Sequence, residues 1–250
     1  MLPAEGVESH SDEADMARYR DEVALACRVL ARHGIVQGSL GHVSVRYLDG
    51  MLLRGRGPDD TGLMFADAGD VVLADLQGQA REATDRRLPS ERAIHGSVLA
   101  MRPDVSAVVH AHPPSVMACD LAGLALVPAF GAYNMPAARL VGAGVPIFPQ
   151  PRLIDRPQLG DAVAQALGPA NAIILRGHGV VVCGRSVAEA TIRALDLETV
   201  ARLCLTIASA GGTPQAITEE DLASLPQLGE AFDVEQTWRH HTRVDRLERR

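Results

Sequence analysis

Val105-Ser-Ala-Val-Val-His-Ala-His-Pro-Pro114 is the segment from which the rest of the chain can be ordered. Its apolar run reads as a strand, and Pro113 and Pro114 withdraw two backbone donors and end it. Side chains on a strand alternate between faces, so His110 and His112 project from the same face at an open strand end. A second apolar strand, Ala172-Ile-Ile-Leu-Arg176, ends at Gly177-His178-Gly179, so it also delivers a histidine at its terminus.

Working outward, Val43 to Leu48 alternates, Asp49-Gly50 signals a turn and Met51 to Arg54 resumes the apolar pattern, which predicts a hairpin. Val71 to Leu76 predicts another strand. Met16 to His33 places Val23, Ala26, Cys27 and Leu30 at helical spacing and stops at Gly34. Ser90 is suited to cap a helix reaching about Met101, with Glu91 in its first turn. Val187 to Ala210 predicts a long amphipathic helix, and Ala231 to Arg249 a last one carrying Trp238, His240 and His241. Helices and strands that alternate irregularly, with a hairpin early on, predict an α/β fold with a mixed sheet covered by helices.

The chain has 250 residues, 47% hydrophobic and 22% charged, which excludes disorder throughout. It shows no internal repeat and no long linker. The expected organisation is a disordered acidic tail over 1–15, one domain over 16–212 and a helical tail over 213–250. The first residues lack the basic start and apolar run of a signal peptide, and no stretch reaches the about 18 apolar residues that span a bilayer. Cys27, Cys119, Cys183 and Cys204 are scattered without a C-x-x-C pair, which predicts reduced, buried thiols and a cytoplasmic protein. A net charge of −7 argues against nucleic acid as a partner. All 24 basic residues are arginine, so Schiff-base, pyridoxal-phosphate and Walker-type lysine chemistry is excluded.

His110, His112 and His178 together can bind Zn²⁺, Mn²⁺ or a similar ion and leave positions open for substrate. Each histidine taken alone is equally suited to a hydrogen-bonded core or surface position, and the spacing leaves both readings open. Glu91 has the same ambiguity, since a helix dipole favours an anion in its first turn. His33, before a helix-ending glycine, is placed to favour the dipole as imidazolium. His95 lies one turn after Glu91 and is placed to orient it or to be buried.

Four ordered motifs carry a family resemblance: Gly38-Ser-Leu-Gly-His-Val-Ser-Val-Arg46, Leu88-Pro-Ser-Glu-Arg-Ala-Ile-His95, Arg102 to Pro113, and Arg176-Gly-His-Gly179. Over most of its length the chain resembles the class II aldolase/adducin family. The resemblance implies an α/β/α sandwich around a mostly antiparallel sheet, assembled as a homotetramer with active sites at subunit interfaces. It further implies that His110, His112 and His178 are the metal ligands for one divalent ion per subunit, Zn²⁺ or Mn²⁺ with Fe²⁺ or Co²⁺ as variants, and that Glu91 is the acid/base carboxylate.

The departures from the sugar-phosphate members are specific. His42 stands where they carry asparagine, and Leu53-Arg-Gly-Arg-Gly-Pro58 replaces a threonine/serine–glycine loop that holds phosphate. With Pro128-Ala-Phe-Gly-Ala-Tyr-Asn134, these features resemble the subgroup that decarboxylates hydroxylated aromatic or pyridine dicarboxylates. Carbon–carbon cleavage leaves electrons that delocalise onto a neighbouring oxygen as an enolate-like anion, whose charge a divalent metal stabilises as a Lewis acid. Glu91, then His42, are the expected proton-transfer groups, with Tyr133 in the catalytic set. Arg54, Arg56 and Ser90 are expected to bind substrate, the arginine forks matching a carboxylate. The competing expectations are an aldolase or epimerase acting on a sugar phosphate, and a non-catalytic adducin-like interaction domain. For His240 and His241 the first expectation is that one packs and the other is solvated, the alternative being that they reach a neighbouring subunit's site.

Overall fold

The computed structural model describes the backbone of residues 6–249, with side chains from residue 13 onward. Seven strands form one sheet: β1 His42–Tyr47, β2 Gly50–Arg54, β3 Val71–Asp75, β4 Ala107–Ala111, β5 Ile147–Phe148, β6 Ala172–Leu175 and β7 Gly179–Gly184. Their order is β3-β2-β1-β4-β7-β6-β5. Every neighbouring pair is antiparallel except β5 with β6. The segment from Val105 therefore supplies the central strand.

Strand alternation divides the interior into two layers. On one face Val43, Val45, Val109 and Val182 pack with α1 Gly6–Arg32, α3 Pro114–Ala122, α4 Met135–Gly142 and α6 Val187–Ser209. On the other face Leu53, Val108 and Val181 pack with α2 Arg92–Met101 and α5 Pro157–Leu167. The result is the mostly antiparallel α/β/α sandwich expected. The tail adds α7 Glu219–Ser224, a π-helical turn over Ala231–Gln236 and α8 Thr237–Glu248. All four cysteines are free and buried. Among the described residues no helix is long and apolar enough to cross a membrane.

Several local expectations are corrected. α1 begins at Gly6, so residues 6–15 belong to a helix rather than an acidic tail; residues 1–5 of that tail lie outside the described residues. Tyr47 pairs with Gly50, so the hairpin loop is Leu48-Asp49, with Leu48 at φ 50°. Gly50 is needed for close approach, because a Cβ there would stand 2.4 Å from the Ala74 carbonyl oxygen. Ser90 does not cap α2: Glu91 occupies the cap position, without a side-chain cap bond. The strand β7 after His178 is an addition to the sequence reading.

α8 packs on α1 through a bidentate ion pair, in which Arg28 Nε and Nη2 donate to the two Asp245 oxygens at 2.8 Å each. The His241 ring sits edge-on to His33 and is buried, while His240 is exposed. Burial, followed by Arg32, pushes the His33 imidazole below its ordinary range. The neutral form is therefore favoured there, not the imidazolium expected at a helix end.

Candidate metal centre

Register brings the histidines together. His110 on β4 is paired with His42 on β1 and with Val181 on β7. Opposed residues of an antiparallel pair share a face, so His42, Val108 and His110 all look toward α2. His112 follows β4 by one residue and keeps that direction. His178 sits in the turn joining β6 to β7, where Gly179 allows the approach: a Cβ there would lie 2.5 Å from both the Ala111 carbonyl oxygen and His112 Cδ2. Glu91 enters from the start of α2, with Oε1 accepting the Ile154 N–H at 3.0 Å.

Glu91, His110, His112 and His178 converge, with ligand atoms all within 4.8 Å of one another. Glu91 Oε2 is 3.4 Å from both His110 Nε2 and His178 Nε2, and the Nε2 atoms of His110 and His112 are 3.1 Å apart. His110 Nδ1 donates to the Val180 carbonyl at 3.0 Å. That bond leaves the Nε2 lone pair directed at the cluster, the tautomer a metal ligand requires. Three imidazoles and one carboxylate aimed at a common point form a donor set that fits a divalent ion.

Burial pushes the His112 imidazole down to about 4, assisted by His110 and His178. Burial also raises Glu91, but its contacts with His110 and His178 outweigh this and hold the carboxyl well below the usual range. One carboxylate beside three imidazole donors would give a divalent ion a single compensating charge.

Behind the cluster lies a buried polar chain that sequence reading did not assemble. Ser44 Oγ is 2.6 Å from His95 Nδ1, and His95 Nε2 is 2.6 Å from His42 Nδ1. The His42 ring lies 4.9 Å from that of His110, centroid to centroid. Burial holds His42 well below its ordinary range and His95 at about 3, so both are neutral. His95 therefore bonds His42 and Ser44, not Glu91.

The two arginines of the loop separate. Arg54, on the strand face opposite Leu53, is 1% exposed and ion-paired with Asp60, which also accepts from the Ser39 hydroxyl. Its charge is matched by Asp60, which lines the cavity, while the Arg54 side chain itself is buried. Arg56 instead lines an open cavity of about 630 Å³ with Pro58, Asp60, Arg87, Pro89 and Ser90. Arg56 and Arg87 are bridged through their backbones, with N···O distances of 2.9 and 2.8 Å. The cavity reaches Ser90, the residue before Glu91, so Ser90 and Arg56 line one space. Tyr133 does not: it is 81% exposed, contacts Phe130 edge-on, and shares a hollow with Ile192, Asp196 and Phe232.

Comparison with known proteins agrees with this architecture. Residues 21–205 match the family model described as the class II aldolase and adducin N-terminal domain. The chain is 42% identical to the 3,4-dihydroxyphthalate decarboxylase of Arthrobacter keyseri over 90% of its own length and 92% of that protein's. It is 29% identical to the L-fuculose phosphate aldolase of Escherichia coli K12, over 79% and 87%. An aldolase II superfamily protein from Pseudomonas syringae superposes with a TM-score of 0.78 at 20% identity, covering 91% of this chain and 92% of that one. With the fold, the four-residue cluster and a family match over most of its length, the chain belongs to the class II aldolase and adducin N-terminal domain family.

Proposed function

We propose that this protein is a metal-dependent carboxy-lyase that removes CO₂ from a hydroxylated aromatic dicarboxylate of the 3,4-dihydroxyphthalate type. The observation that carries the reading is the Glu/His₃ cluster, supported by the 42% identity to a named decarboxylase and by an arginine-lined cavity that reaches the residue before Glu91. His110, His112 and His178 would hold the ion, with the Glu91 carboxylate beside it as the acid/base group. The donor set suits Zn²⁺ and also accepts Mn²⁺, Fe²⁺ or Co²⁺. Bound there, a divalent ion supplies a Lewis acid for the charge that develops on substrate oxygen as the carbon–carbon bond breaks.

Arg56, which lines the cavity while its Nη2 donates to the Ser39 carbonyl at 2.6 Å, holds the retained carboxylate through its remaining donors, and Ser90 lines the same space. Glu91, ionised and fixed through Oε1 by the Ile154 amide, takes the proton of the ring hydroxyl on Oε2 and returns it to the ring carbon that CO₂ vacates. His42, neutral and tied to His95, is the second proton-transfer group. Tyr133, exposed on its own subunit, is open to a neighbouring site in a homotetramer. The four free thiols support a cytoplasmic location.

The deciding experiment measures CO₂ release from 3,4-dihydroxyphthalate against cleavage of L-fuculose 1-phosphate. Release of CO₂ that stops on chelation and resumes with added Zn²⁺ or Mn²⁺ is expected. Cleavage of the sugar phosphate without CO₂ release from the dicarboxylate would establish the aldolase reading, which the 29% identity to an aldolase supports. Absence of both activities in metal-loaded protein would leave the adducin-like interaction domain.

A further inference from the structure

α3 starts two residues after His112, and its single acidic side chain, Asp120, lies in an otherwise apolar or small stretch, Met117-Ala-Cys-Asp-Leu-Ala122. The Asp120 side chain is 1% exposed. Burying a carboxylate this far is costly unless it is bonded. Its Oδ2 accepts the Gly177 N–H at 2.7 Å, and Arg176 Nε lies 3.7 Å from Oδ1, which has no hydrogen bond. Gly177 is at φ +60°, one residue before His178, so the bonded amide belongs to the turn that aims the imidazole. The other end of α3 is also held, because Glu198 on α6 accepts the Ser115 and Val116 N–H groups at 3.0–3.2 Å.

We infer that Asp120 is a positioning residue that locks the Gly177 amide, and with it His178, into the geometry of the metal cluster. α3 then acts as a brace between the His110/His112 pair on one side and the His178 turn on the other. The inference rests on the proposed metal-dependent reading. Its chemistry is that of an outer partner orienting a ligand, whose loss typically costs about 10- to 100-fold in metal affinity.

The test is Co²⁺ titration of metal-stripped protein, read by the visible ligand-field spectrum, with folding monitored by circular dichroism. Asp120→Ala is expected to weaken Co²⁺ binding about 10- to 100-fold and alter the spectrum. Asp120→Asn, which keeps an oxygen acceptor for the Gly177 amide, is expected to restore affinity. Arg176→Ala, which removes only the ion-pair partner, is expected to bind as wild type. Should Asp120→Ala fail to fold, Asp120→Glu, which displaces the carboxylate by one methylene, is expected to show the same direction of change. Wild-type affinity and spectrum in a folded Asp120→Ala or Asp120→Glu protein would overturn the inference, as would an Asn variant no better than Ala. Failure of the wild type itself to bind Co²⁺, or binding unchanged by His178→Ala, would overturn the metal reading instead.

Discussion

The Nδ1–H of His110 donates to the Val180 carbonyl of the adjacent strand at 3.0 Å. A backbone acceptor cannot be removed by side-chain substitution, so the orientation of this ligand is built into the pairing of β4 with β7. His110→Ala or His112→Ala is therefore expected to lower metal affinity by more than about 100-fold while the fold is retained, measured as metal content after dialysis. A His112→Ala protein that keeps its metal and full activity would disprove the ligand set.

Glu91→Gln separates position from charge. The amide oxygen still accepts the Ile154 N–H, so the side chain stays in place but no longer takes a proton. CO₂ release is expected to fall about 10²- to 10⁴-fold, the range for loss of a general acid–base group. Single-turnover decay of substrate absorbance measures it.

Arg56 and Arg54 are expected to fail differently. Arg56→Ala removes a charged donor from the open cavity and is expected to raise KM for the dicarboxylate about 10- to 100-fold, the equivalent of a charge-assisted hydrogen bond of about 1.5–3 kcal/mol. Arg54→Ala removes the buried cation paired with Asp60, whose carboxylate keeps partial access to the cavity, and is expected to cost about 1–3 kcal/mol of stability in urea unfolding.

Acid is expected to loosen α8 from α1. Burial, followed by His33 and His240, pushes His241 down to about 4, below its unfolded value near 6.5. A depressed folded-state pKa contributes stability that is present above about pH 6.5 and lost as pH falls toward about 4, worth up to about 3 kcal/mol. Asp245 adds to this at lower pH. Burial raises its carboxyl, but hydrogen bonding and charge from Arg28, with Arg32, win and hold it below the usual range, so its contribution fades once pH drops through about 4. Urea midpoints of wild type and His241→Gln between pH 7.5 and 4.5 check the first effect: the variant's curve should be flatter.

What the sequence made legible was local. Alternation placed His110 and His112 on one face, Pro113 marked the strand end, and two glycines marked the turn at His178. Glu91 was legible only through the family motif, because its helix position equally suits a dipole partner; the Ile154 amide that turns it inward lies 63 residues away in sequence. Separations of 51 and 53 residues likewise hid the Ser44–His95–His42 chain, in which β1 meets α2. Arg54 illustrates the converse. Neighbouring arginines looked alike in the loop, and alternation alone would put residues 54 and 56 on one face, but β2 ends at Arg54, which is buried, while Arg56 lies beyond the strand, bridged to Arg87, and lines the cavity. Asp120 carried a usable signal, a lone acid in an apolar helix, but its partner Gly177 could come only from three-dimensional structure.

The sheet order β3-β2-β1-β4-β7-β6-β5 carries a consequence for how the protein is made. The candidate ligands come from the start of α2, the end of the central strand and the β6–β7 turn, so His178 is separated from the other three by a long stretch of chain. Closing so long a loop is entropically slow. During synthesis, a nascent chain that has not yet reached His178 offers a metal only Glu91 and the His110/His112 pair. Tight metal capture would then come after the sheet is assembled, and metal retention would report on chains that have completed their fold.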